Sequence, residues 1–220
     1  MKKIAVIRTQ FSEKFGIPRQ SGLVKELKAQ IIFEPEYREK EALRGLEGFS
    51  HIWLIWEFSK AKREKWSPTV RPPRLGGNKR LGVFATRSPF RPNSIGLSCV
   101  KLESISYSET DGPVITVSGA DLLDKTPIFD IKPYLPYADC KPEATGGFTD
   151  TTEKKCLEVV FASSFDKVDK ETLHTLKAVL EQDPRPSYHD DANRIYNLAF
   201  AHWEVKFKVE NDILTVVDII

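Results

Sequence analysis

The chain has 220 residues, 33 of them Lys or Arg and 31 Asp or Glu, for a formal charge of +2; 40% are apolar and 29% charged. A chain of this length buries ~70% of its unfolded surface and needs no disulfide or metal staple. The longest apolar stretch, Ile52 to Phe58, is broken by Glu57 and falls far short of the ~20 residues of a membrane span. Four apolar residues between Lys3 and Arg8 are too few for a signal-peptide core. A cytoplasmic protein with Cys99, Cys140 and Cys156 as buried free thiols is therefore expected.

In chain order, Lys3 to Arg8 and Gln30 to Phe33 read as strands. Glu39 to Leu46 is the one short helix before residue 145, ended near Gly45 or Gly48. His51 to Phe58, rich in Ile, Trp and Phe, reads as a buried strand. Leu81 to Thr86, Ser98 to Ile105 and Val114 to Ser118 are further strands. Short strands with Gly and Pro between them predict a mainly β fold whose larger part is a β-barrel. Gly146-Gly147 marks a boundary, giving a barrel domain over 1–145 and a small α+β domain over 146–220. The second part should hold a strand at Cys156 to Phe161 and a helix running from Phe165 to near Gln182, where Pro184 stops it. Two closing strands, Phe200 to Val209 and Ile213 to Ile219, are joined through Asn211-Asp212.

The near-neutral charge hides an asymmetry. Between Lys60 and Arg91 ten basic residues face the single acid Glu64, a segment of +9, which leaves 23 basic against 30 acidic residues elsewhere. Ordered arginines among Pro, Gly and aromatic residues suit phosphate, so a nucleic acid is the expected partner. There is no Gly-x-Gly, so a Rossmann cofactor loop is not expected, nor is there a P-loop or a metalloprotease motif. His51, His174, His189 and His202 do not cluster in sequence, and no metal site is expected. His51 reads as a hydrogen-bonded structural residue and His174 as an exposed one.

Five stiff segments carry polar side chains. They are Pro18-Arg19-Gln20-Ser21-Gly22, residues 71–78 from Arg71-Pro72-Pro73-Arg74, residues 84–96 from Phe84 to Gly96, residues 121–137 from Asp121 to Tyr137, and Asp183-Pro184-Arg185-Pro186-Ser187-Tyr188. Taken singly, several read as ordinary connectors, and Asp121-x-x-Asp124 as an ordinary turn. No nucleophile has an adjacent base, so covalent catalysis is not indicated; positioning of two bound partners is.

Phe-Ala-Thr-Arg-Ser-x-Phe-Arg-Pro-Asn-x-Ile-Gly over 84–96, preceded by Arg-Pro-Pro-Arg-Leu-Gly-Gly, resembles the tRNA threonylcarbamoyladenosine N6-methyltransferases. Asp-Ile-Lys-Pro-Tyr-Leu-Pro over 130–136 and Asp-Pro-Arg-Pro-x-Tyr over 183–188 match the same family. The resemblance, to the bacterial two-domain form, implies a β-barrel that binds S-adenosylmethionine without a Rossmann sheet. It implies a homodimer, and methyl transfer to N6 of threonylcarbamoyladenosine beside the anticodon of a threonine tRNA. Carried over residue by residue, Gln20, Ser21, Gly22, Phe58, Ser59, Arg87, Leu97, Lys125, Thr126, Pro127 and Ile128 would hold the cofactor. Lys125 stands where relatives often have Gly, and Ser94 where they often have Pro.

The acceptor nitrogen belongs to a urea-like group that withdraws its lone pair, so a group must take or polarise its proton. Asp130, Tyr134, Tyr137 and Tyr188 are the candidates, unranked. Arg71, Arg74, Arg80, Arg91, Asn93, Lys132 and Arg185 would bind tRNA phosphate or the threonyl carboxylate. The alternative is a non-catalytic RNA-binding barrel, which the stripe and its aromatics would also serve.

Overall fold

The structure, a computed structural model, describes residues 1–61, 65–76, 79–152, 156–186 and 191–220, apart from the side chain of Arg74. Six strands close into a barrel in the order β1 (Ala5–Arg8), β2 (Lys28–Phe33), β7 (Gly112–Ser118), β6 (Ile95–Ser108), β3 (His51–Glu57) and β8 (Thr126–Pro133). A two-stranded ribbon, β4 (Thr69–Val70) with β5 (Leu81–Gly82), stands outside it. Period-2 alternation builds the barrel: Ile52, Leu54 and Trp56 of β3 point inward against Ala5, Ile7, Ile31, Ile115, Val117 and Ile128.

Every neighbouring pair in the barrel is antiparallel, including β8 with β1. Three connections therefore emerge at one rim: residues 9–27, 58–94 and 119–125. The residues after β8, from Tyr134 on, leave at the opposite rim, where the Tyr134 N–H donates to the His51 carbonyl at 3.0 Å.

Beyond a one-turn helix α1 (Pro136–Asp139), the chain forms a second sheet, β10 (Tyr196–Phe200), β11 (Trp203–Glu210), β12 (Ile213–Ile219) and β9 (Glu158–Phe161), covered by α2 (Lys170–Leu180). Asp169 caps α2 by accepting from the Thr172 N–H at 2.8 Å. The core of this unit is shared. Phe11, Val24 and Leu27, from the connection between β1 and β2, are buried in it beside Leu176, Leu180, Leu198 and Phe207.

Several expectations are corrected. Leu81 to Thr86 is a strand only at Leu81–Gly82; a 3₁₀ turn follows over Val83–Ala85, with the Thr86 N–H and hydroxyl both on the Val83 carbonyl. The helix expected over Glu39 to Leu46 is two 3₁₀ turns, Lys40–Leu43 and Leu46–Gly48, parted by Gly45 at φ +86. Residues 126–133, read as loop, form β8; its prolines occupy its second and last positions, where a missing N–H disturbs the ladder least. The strand β10 was hidden because its hairpin to β11 turns at Ala201-His202, with Ala201 at φ +55 in a conformation that Gly or Asn usually signals. Cys140 and Cys156 are exposed rather than buried, and Cys99 is half-buried.

Candidate functional site

The three connections at the first rim interlock. Gln20, on the first, accepts a hydrogen bond at Oε1 from the Arg87 guanidinium, on the second. The Gly22 N–H donates to the Gly119 carbonyl, and the Gly119 N–H to the Leu27 carbonyl, both at 2.8 Å. The first and third connections lie so close that a Cβ on Gly119 would stand 3.2 Å from the Gly22 backbone. Asp124 accepts from the Thr9 N–H at 3.1 Å and pairs with Arg8 at 3.6 Å.

Beneath them sits a polar chain that starts at two buried residues and ends at a half-buried carboxyl. The Trp56 indole donates to Ser98 Oγ at 2.9 Å, and the Ser98 hydroxyl donates to Asp121 Oδ1 at 2.6 Å. Burial pushes the Asp121 carboxyl above the ordinary carboxylate range, against the opposing pull of the Ser98 hydroxyl, the Arg87 charge and the Ser21 backbone. The cause of this arrangement is Gly96. It faces Trp56 across β3 and β6, and a Cβ there would lie 2.3 Å from Trp56 Cε2. Only glycine lets the indole lie flat enough to reach Ser98.

The remaining cofactor candidates fall around this centre. The Phe58 N–H donates to the Ser94 carbonyl at 2.9 Å, and its ring lies 4.2 Å from that of Trp56, with Ser59 following on the surface. Leu97 points outward and is 54% exposed. Lys125 has φ +62, the left-handed region that suits Gly, and its N–H donates to the Ile7 carbonyl at 2.8 Å. The side chains of Thr126 and Ile128 are buried in the barrel wall. Pro127 lines a cavity of ≈ 1010 Å³ together with Trp66, Phe90, Arg91, Asn93 and Ile95.

The substrate candidates are dispersed. Arg91 spends Nη1 on the carbonyls of Thr86 at 2.9 Å and Ser88 at 3.3 Å, shaping the loop it stands on. Arg185 makes a forked pair with Asp183, at 2.9 and 3.0 Å, and is mostly buried. Arg80 is laid along β4, its Nε donating to Thr69 Oγ1 at 2.8 Å, and Arg71 is exposed. Arg74 lies on a 3₁₀ turn over Pro73–Leu75.

Of the proton-handling candidates, Asp130 sits midway along β8, where Oδ1 accepts from the Ile131 N–H at 2.9 Å and Oδ2 pairs with Lys132 at 3.1 Å. Tyr134 lies eight residues of strand from Thr126, about 26 Å at ~3.3 Å per residue. A single chain therefore keeps Tyr134 away from the rim that carries the cofactor candidates. Burial, then the neighbouring Cys140 and Cys99, push its phenol up. Tyr137 is 84% exposed at the same rim. Tyr188 lies outside the described residues. What the sequence reading missed is the Trp56–Ser98–Asp121 chain. The strand expected from Ser98 in fact begins at Ile95, and that earlier start is what puts Gly96 inside a strand, where a glycine marks a close approach.

A closed antiparallel barrel with polar connections interlocked at one rim defines a class of barrel protein distinct from the Rossmann fold. Two family models match the chain: the tRNA-methyltransferase O N-terminal domain over residues 6–140 and the TrmO C-terminal domain over residues 148–220. A tRNA (adenine(37)-N6)-methyltransferase of Escherichia coli is 40% identical, over 94% of this chain and 92% of its own length. A Pseudomonas aeruginosa protein whose name carries S-adenosylmethionine-dependent methyltransferase is 38% identical, over 98% of this chain and 95% of its own. The crystal structure of TrmO from Pseudomonas aeruginosa superposes with a TM-score of 0.79 at 32% identity, covering 99% of this chain and 97% of that one. The chain belongs to the tRNA-methyltransferase O family, so the alternative of a non-catalytic barrel gives way to an S-adenosylmethionine-dependent methyltransferase.

Proposed function

We propose that this protein methylates N6 of adenine 37 in tRNA, and that its substrate is threonylcarbamoyladenosine beside the anticodon of a threonine tRNA, in the cytoplasm. The observation that carries the reading is the meeting of three rim connections over a half-buried carboxylate, Asp121, in a chain of this family.

The donor set suits S-adenosylmethionine. Asp121 offers negative charge to a cationic ligand, Gln20 and Arg87 offer planar hydrogen-bonding groups, and Phe58 and Leu97 offer apolar surface. When bound, the cofactor supplies an electrophilic methyl group on a sulfonium. The chain's own contribution is alignment and exclusion of water. The barrel unit, 1–145, holds the ligand, while the unit over 146–220 grips Phe11, Val24 and Leu27 on either side of Gln20 and so sets the height of that loop.

Proton removal falls to Asp130, Tyr134 or Tyr188. The raised phenol of Tyr134 makes it a hydrogen-bond donor near neutral pH rather than a base, which favours Asp130 as acceptor. A homodimer reconciles the long span between Tyr134 and the rim. The outer wall of β3 and β6 shows Ile95, Leu97, Trp53 and Ile55. Pairing two such walls about a two-fold axis perpendicular to the strands brings the Tyr134 rim of one copy beside the cofactor rim of the other.

Mass spectrometry of nucleosides from threonine tRNA tests the reading. Deleting the gene should abolish the N6-methylated threonylcarbamoyladenosine while leaving its unmethylated form; an unchanged nucleoside profile overturns it.

A further inference from the structure

The ribbon β4–β5 has no place in the barrel core, yet it is held by a ladder of its own. Thr69 pairs with Gly82 and Val70 with Leu81, and the Val83 N–H extends the ladder to the Pro68 carbonyl at 2.9 Å. Val83 is buried at 1% exposure, which turns the next residue, Phe84, outward. Trp66, three residues before β4, comes to meet it. The two rings lie 6.1 Å apart with an interplanar angle of 30°, and they are 51% and 72% exposed. Two large aromatic side chains packed on each other and left open to solvent form a flat apolar surface that the fold itself does not cover.

The surroundings choose the occupant. Lys65, Arg71, Lys79 and Arg80 are exposed on the same ribbon and its flanks, and Arg80 is pinned to Thr69. Flat rings among cations suit a polyanion with flat unpaired bases, which is single-stranded RNA. A protein partner would gain from the rings but would have to bring acids of its own to match these cations. The location fits as well. Phe84 stands three residues from Arg87, at most about 10 Å of chain, and Trp66 also lines the cavity that holds Arg91, Asn93 and Pro127.

We propose that Trp66 and Phe84 form a stacking platform for an unpaired anticodon-loop base next to the target nucleotide. This rests on the tRNA reading above and names how the loop is held. The platform grips stacked bases without reading their hydrogen-bonding edges, while the cations around it take the phosphates. Its role is to splay the loop so that the target base is presented alone.

The test is binding of a synthetic threonine-tRNA anticodon stem-loop, followed by fluorescence anisotropy over a salt series. Trp66→Ala with Phe84→Ala should weaken binding roughly 5- to 100-fold and leave the slope of log affinity against log salt unchanged. Arg71→Glu with Arg80→Glu should instead flatten that slope. Trp66→Phe should keep most of the affinity and Trp66→Leu should lose it, and this pair carries the test if the double alanine variant fails to fold. Unchanged affinity in the alanine and leucine variants overturns the platform, as does a fall in affinity accompanied by a flatter slope. Unchanged affinity with altered sedimentation assigns the rings to contact between copies and also overturns it. Wild-type protein that still forms the methylated nucleoside in any of these cases leaves the tRNA reading standing; wild-type protein that fails to form it removes that reading instead.

Discussion

Gly96→Ala isolates the physical core of the site. Glycine in a strand costs backbone entropy, so replacing it would ordinarily stabilise the chain by ~0.5–1 kcal/mol. Here the new Cβ would lie 2.3, 2.4 and 2.6 Å from three atoms of the Trp56 indole, well inside contact distance. Relief requires Trp56, only 6% exposed, to move within a packed barrel, an overpacking cost of ~1–3 kcal/mol. Movement also breaks the Trp56–Ser98 hydrogen bond, worth about 1 kcal/mol, and disturbs the ring contact with Phe58. The unfavourable terms win, and the net loss is about 2 kcal/mol. At ~2–4 °C per kcal/mol for a chain of this size, the melting temperature should fall by roughly 4–8 °C. Because Ser98 then loses its orientation toward Asp121, calorimetry should show cofactor affinity falling as well. A melting temperature that stays level or rises would refute the argument, since that is what an unconstrained strand glycine gives.

Other expectations can be checked on the same protein. Arg87→Ala should weaken S-adenosylmethionine binding by ~1–3 kcal/mol if its bond to Gln20 shapes the site, read by titration calorimetry; full affinity removes Arg87 from the cofactor set. The raised carboxyl of Asp121 contributes stability below the ordinary carboxylate range that is lost as pH rises through its raised value. Asp121→Asn should therefore raise the melting temperature near neutral pH relative to acid, while weakening cofactor binding; parallel pH profiles for both proteins would contradict this. Phe11→Ala, in the shared core at 1% exposure, should cost ~3–5 kcal/mol and lower cofactor affinity with it, whereas an affinity untouched by that loss would detach the second unit from the site. Leu97→Arg on the outer wall should abolish the proposed pairing of copies, giving monomers in sedimentation equilibrium with the fold intact by circular dichroism; the same sedimentation as the wild type refutes pairing through this wall.

Much of the barrel was legible because alternation is a local property. A strand such as His51–Glu57 carries its inward and outward faces in its own order of residues, and the left-handed turn at Asn211-Asp212, φ +49 and +64, is written in residue types that tolerate it. β8 was not legible, because three prolines within residues 127–136 outweigh a pattern that only closure against β1 and β3 makes favourable. The site divides the same way. The stiff loops and their polar side chains stand out in the sequence, and Gln20 and Arg87 do meet.

The chain alone thus determined the candidate residues on its stiff segments, the charge of the flank between Lys60 and Arg91, and the family. Only the tertiary structure decided which of them share a rim, since that depends on the alternating direction of six strands that pair over long sequence separations. It moved Tyr134 to the far rim, tied Arg185 to Asp183, and revealed Asp121 as a half-buried carboxyl held by Ser98. Burial and opposition across a closed sheet are relations between distant residues, and no local pattern of side chains contains them.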